Sequence, residues 1–76
     1  MKISSRISVD ANIHHGTPVI SGTRVPVSIV IGSLADGMSK EEVMEEYDLS
    51  KDDVEAALAY AAELVAATEV VPLAGD

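Results

Sequence analysis

The stretch Gly16-Thr17-Pro18-Val19-Ile20-Ser21-Gly22-Thr23-Arg24-Val25-Pro26-Val27 constrains this chain more than any other. Gly16 and Gly22 admit backbone angles that residues with a Cβ adopt only at a cost. Pro18 and Pro26 fix their own φ and push Thr17 and Val25 towards extended geometry. The apolar pair Val19-Ile20 lies between the glycines. The pattern predicts a short strand, a tight turn at Ser21-Gly22-Thr23, a second extended piece, and a helix with Pro26 at or near its first turn. Ser21 and Thr23 are expected to satisfy turn backbone.

The residues N-terminal to this stretch read as strand. Arg6-Ile7-Ser8-Val9-Asp10 alternates polar and apolar residues, as a half-buried strand does. Asp10-Ala11-Asn12 has the composition of a turn, and Ile13 anchors the approach to His14-His15. A ribbon this short is marginal alone, so it must lie on helices or pair with another chain.

The residues C-terminal to it read as helix. Val27, Val30, Ile31 and Leu34 make one apolar stripe over a helix from about Pro26 to Asp36. Gly32 within it is expected to mark close approach of a neighbouring backbone, and Gly37 to stop the helix in the left-handed conformation. Ser39 and Glu42 form a capping box for a second helix, Lys40 to about Tyr47, burying Val43, Met44 and Tyr47. Asp48-Leu49 is a short connection. Ser50 to Asp53 is a second cap, opening a third helix that runs to about Thr68. Val54, Leu58, Ala61, Val65 and Thr68 mark its inner face, with Ala57 and Leu64 beside it. Pro72 keeps the tail, Glu69 to Asp76, from continuing as helix.

The chain is therefore expected to be one mainly α domain. A β-ribbon arm spans 1–25, a three-helix core with a helix-turn-helix outline spans 26–68, and a tail spans 69–76. Seventy-six residues bury a modest core, and a domain this small often gains stability from a partner chain. With no Phe, no Trp and two Tyr, that core is aliphatic. No cysteine is present, which excludes disulfides and thiolate metal sites and fits a reducing cytoplasm. No apolar run approaches the ~20 residues of a membrane span. The N-terminus lacks the apolar core of a signal peptide, so a cytoplasmic protein is expected.

Charge is unevenly placed. Residues 1–35 carry Lys2, Arg6 and Arg24 against Asp10, while residues 36–76 carry two lysines against twelve acids. Residues 36–76 thus carry −10 and residues 1–35 carry +2, which sum to the net charge of −8. Such a surface repels phosphate and attracts basic partners.

Three blocks carry a resemblance to a known family. They are Pro18-Val19-Ile20 with Gly22-Thr23-Arg24-Val25-Pro26-Val27, then Leu34-Ala35-Asp36-Gly37-Met38-Ser39-Lys40-Glu41-Glu42-Val43, then Leu49 to Ala61. In order and spacing they resemble the small bacterial proteins grouped as domain of unknown function 433, over roughly Ile7 to Ala62. Asp48 departs from the family pattern, which often has proline there. The resemblance implies a homeodomain-like three-helix core with an N-terminal β extension. It also implies an antitoxin role, because proteins similar to this one are thought to be encoded beside small PIN-like ribonuclease toxins.

The residues themselves rank the functional classes. In a helix-turn-helix domain the second helix of the motif enters the major groove by its N-terminal end. Here that end carries Asp52, Asp53 and Glu55 against Lys51, which opposes phosphate contact. If DNA is bound, the cations available are Lys2, Arg6 and Arg24, with His14 and His15 beside them. Arg24 has two readings: contact with a partner carboxylate or phosphate, or, as the favoured one, a structural tie from the turn to a helix C-terminus or to Asp36. Adjacent histidines on an extended chain face opposite ways, so His14-His15 does not suggest a metal site.

No nucleophile has an evident base, and no glycine-rich loop carries a phosphate-binding lysine, so no enzyme, cofactor or small-molecule substrate is expected. The leading expectation is a non-enzymatic antitoxin that binds and inhibits a PIN-like ribonuclease toxin, with autoregulatory binding to its own promoter DNA as an accompanying role. Its acidic half would face the toxin, and its apolar tail residues Val70, Val71 and Leu73 would order on binding. The alternatives are a helix-turn-helix DNA-binding regulator and a structural homodimer. A homodimer is expected in any case, because the ribbon has open edges and helix three is rich in alanine.

Overall fold

The structure, a computed structural model, describes residues 6–12 and 16–68. Two strands and three helices follow one another: β1 (Ile7–Ser8), β2 (Val19–Ile20), α1 (Val27–Ala35), α2 (Lys40–Tyr47) and α3 (Lys51–Thr68). The fold is mainly α, a three-helix core with a short antiparallel ribbon at its N-terminal side.

The ribbon forms where the glycine- and proline-rich stretch dictates. β1 and β2 pair with Ile7 opposite Ile20 and Ser8 opposite Val19. The Ser21 amide donates to the Arg6 carbonyl at 2.8 Å, and the Ser8 and Ser21 hydroxyls bond each other. After β2 the chain reverses at Gly22, whose φ of +81° is open to glycine at little cost. Thr23 closes the reversal. Its hydroxyl donates to the Ile20 carbonyl at 2.8 Å and accepts the Val25 amide at 3.0 Å. The returning segment bridges Val19 at Pro26, and the Val27 amide donates to the Pro18 carbonyl at 3.0 Å. Pro26 thus sits one residue ahead of α1, as its extended N-cap with ψ 143°, rather than inside the first turn.

Each helix boundary has a local cause. α1 ends as the Gly37 amide reaches the Leu34 carbonyl at 3.0 Å, with Gly37 at φ +105°. α2 opens on a complete capping box. The Glu42 amide donates to Ser39 Oγ at 3.0 Å and the Ser39 amide to Glu42 Oε1 at 2.8 Å. Ser50 and Asp53 repeat that reciprocal pair at 3.0 Å in both directions ahead of α3. Between the two, Asp48 takes the left-handed conformation, φ 55° and ψ 52°, and its amide donates to the Met44 carbonyl. A proline at position 48 would reach neither that φ nor that hydrogen bond.

Ile7, Ile20, Val27, Val30, Val43, Leu49, Val54 and Ala57 form one buried cluster joining both strands to all three helices. Leu49, expected only as a connection, is a core residue at 6% exposure. It follows Asp48, whose left-handed turn redirects the chain towards α3. The Tyr47 hydroxyl meets Ser33 Oγ at 3.2 Å and ties α2 to α1.

Two expectations need correction. A Cβ on Gly32 would meet nothing within 4 Å, so no backbone packs against it. Val65 and Thr68 do not join the buried face: Val65 is 58% exposed, Leu64 beside it 51%, and Thr68 is exposed as well. The reason is length. α3 runs about 27 Å, whereas α1 and α2 run about 12–14 Å each, so the distal half of α3 outreaches the helices it lies on.

Candidate protein-docking surfaces

The helix-turn-helix outline is present: α2, a connection of Asp48-Leu49-Ser50, and α3. The end of α3 that would enter a groove is already engaged. Arg6 Nη1 lies 2.9 Å from Asp53 Oδ1, and Arg6 Nη2 lies 3.6 Å from Asp52 Oδ2. Burial would raise the Asp53 carboxyl. Hydrogen bonds from the Ser50 amide, the Arg6 guanidinium and the Ser50 hydroxyl, with the Arg6 charge, outweigh it and hold the group below its ordinary value. Arg6, a candidate for phosphate contact, is therefore joined to the carboxylates at the start of α3. Arg24 is exposed on the segment between the turn and Pro26. Lys2, His14, His15, Val70, Val71 and Leu73 lie outside the described residues. Gly16, Pro18, Gly22, Thr23, Pro26, Gly37, Ser39 and Ser50 all take part in turns, bridges or caps.

The acids of α2 are arranged differently from those of α3. Glu41, Glu42, Glu45 and Glu46 line its outer side, opposite the buried Val43. Glu42 is used in the cap. Among the described residues no ion pair joins Glu41, Glu45 or Glu46, whereas Lys40 and Lys51 both turn to Glu55, at 3.8 and 4.0 Å. Glu41 with Glu45, and Glu42 with Glu46, are like charges one helical turn apart, each pair destabilising by about 0.2–0.5 kcal/mol. Glu45 and Glu46 also stand in the last turn, which carries no basic residue, where the helix dipole disfavours anions. Two shallow depressions border this face. One of about 310 Å³ is lined by Met38, Glu42, Glu45 and Glu46. The other, about 360 Å³, is lined by Glu41, Met44, Glu45 and Leu49. Depressions lined by both carboxylates and the apolar side chains Met38, Met44 and Leu49 suit a basic side chain that brings both a charge and an aliphatic stem.

A second surface has the opposite character. A groove of about 240 Å³ between the β-arm, α1 and α3 is lined by Thr17, Pro18, Val27, Ser28, Ile31, Tyr60, Ala61 and Leu64, none of them charged. The alanine run of α3 pointed to close packing in the sequence. The part played by Pro18 and Ile31 had no local signal, because the groove exists only where the arm meets two helices.

Among the described residues, no group of three His, Cys, Asp or Glu is placed to hold a metal ion, and no helix is long and apolar enough to cross a membrane. The family model described as "Protein of unknown function (DUF433)" matches residues 7–61. No curated protein and no solved structure matches the chain.

Proposed function

The chain belongs to the DUF433 family, and we propose that it is a non-enzymatic antitoxin that binds and inhibits a basic, PIN-like ribonuclease. The observation that carries this reading is the uncompensated carboxylate face of α2. Like charges at i,i+4 and anions in the last turn both cost stability. A cationic protein surface would remove that cost and gain from it. A nuclease must present cations along its RNA path, and a fixed array of carboxylates competes for them as phosphates do. Inhibition is then steric and electrostatic: the acidic face covers the path, and Met38 and Met44 supply apolar contact beneath the charges.

Direct reading of DNA by α3 draws less support. The Asp52 and Asp53 carboxylates occupy the leading end of that helix, and Arg6 is held against them. Cationic contact with the backbone supplies most of the affinity in such complexes.

The test is co-expression with the product of the adjacent open reading frame. The reading predicts a complex that survives physiological salt and a nuclease that cleaves single-stranded RNA alone but not in that complex. Separate elution of the two proteins, with cleavage unchanged by an excess of this chain, would overturn it.

A further inference from the structure

The groove between α1 and α3 adjoins the distal half of α3, whose one charged residue, Glu63, is exposed and does not line the groove. Two of the three large apolar side chains exposed among the described residues, Leu64 and Val65, stand on that half of α3. They prolong the stripe of Val54, Ala57 and Ala61 to the N-terminal half of α1, where Leu64 shares the groove lining with Val27, Ser28 and Ile31 yet stays half exposed. The groove opens beside Leu64, and its walls are Pro18, Val27, Ile31 and Tyr60.

Charge decides what covers this face. The chain carries −8, the sum of −10 on residues 36–76 and +2 on residues 1–35, yet no charged side chain lines the groove. A basic partner gains nothing here, whereas the α2 face offers it carboxylates. A second copy is in the reverse position. Two strongly acidic chains repel wherever acids meet, and this neutral face is the approach with least repulsion. We infer that the α1/α3 groove is the contact between two copies of this chain, with Leu64 of each copy seated in the groove of the other about a two-fold axis near Ala61. The small side chain of Ala61 permits close approach of the two α3 helices. A two-fold axis makes the contact self-complementary and closed, so association stops at two.

Size sets the strength. Two helical stretches each about 13 Å long and about 10 Å across bury on the order of a few hundred Å² per partner, below the roughly 800 Å² typical of stable interfaces. The dimer is therefore expected in the micromolar range. It uses a different face from the one proposed for the nuclease, so either can fail while the other stands.

Sedimentation equilibrium of the full chain from about ten micromolar to about one millimolar tests this. The wild type should run as a dimer over most of the range. Leu64→Asp places two carboxylates against apolar walls and should weaken association at least about a hundredfold, with helical circular dichroism unchanged because Leu64 is half exposed. Ser28→Arg, an exposed position on the opposite wall, should do the same independently. Glu45→Lys should leave the dimer intact. A wild type that stays monomeric at the highest concentration overturns the inference, including the case where deleting residues 69–76 is needed to reveal a dimer, which would make the tail the occupant. A dimer indifferent to both Leu64→Asp and Ser28→Arg overturns it equally and places the contact elsewhere, on the ribbon edge.

Discussion

Arg6 and Asp53 are 47 positions apart in sequence and 2.9 Å apart in space. Their contact fastens the β-arm to the first turn of α3. The same Asp53 carboxylate accepts the Ser50 amide through its other oxygen, so one side chain serves both as helix cap and as the anchor of the arm.

That double use makes a pH prediction. The folded state holds the Asp53 carboxyl below its ordinary value, so the contribution is complete above the unfolded pKa of about 3.9 and is lost as pH falls through the lower folded value. Denaturant titrations of wild type and Asp53→Asn should differ by a constant amount from neutral pH down to about pH 5, and the gap should narrow below about pH 4. A gap that widens in acid would contradict the assignment. Arg6→Ala, which removes a partner 44% exposed, should cost only about 0.5–1 kcal/mol.

Ser39→Ala removes an exposed cap in which the Ser39 hydroxyl accepts the Glu42 amide. The expected loss is about 1 kcal/mol, read from the shift of the urea midpoint at unchanged m-value. Loss of several kcal/mol would mean that Ser39 does more than cap α2.

Two substitutions should stabilise the chain. Gly32 sits in α1 with open space where a Cβ would stand, so Gly32→Ala should gain about 0.5–1 kcal/mol. Asp48 holds a left-handed conformation without being glycine, so Asp48→Gly should gain up to about 1 kcal/mol, and Asp48→Pro should cost about 3 kcal/mol or more. Thermal melts of the three variants check all of these. A destabilising Gly32→Ala would show that α1 has a close neighbour at that position.

The sequence was most informative where a local rule fixes structure. The Ser39–Glu42 and Ser50–Asp53 boxes place the starts of α2 and α3, and Gly22 and Gly37 place two reversals, because each depends on residues within a few positions. It was least informative where distance along the chain is large. Arg6 read as a free cation because nothing nearby in sequence shows its carboxylates. Leu49 read as linker because its burial depends on the turn made by Asp48. Val65 and Thr68 read as core because a periodic stripe shows which face is apolar, not how far the opposing helices extend. The carboxylates of α2 were visible as composition. That no ion pair joins Glu41, Glu45 or Glu46 among the described residues emerged only when Lys40 and Lys51 proved to be turned to Glu55.

The most direct measurement of the central claim uses the double variant Glu45→Lys and Glu46→Lys, titrated calorimetrically against the ribonuclease proposed as its partner, with its melting temperature recorded in parallel. Replacing last-turn anions by cations should raise folding stability by about 0.5–1 kcal/mol, while weakening the complex at least about a hundredfold and flattening its salt dependence. Undiminished affinity in a variant that melts higher would contradict an acidic docking face on α2.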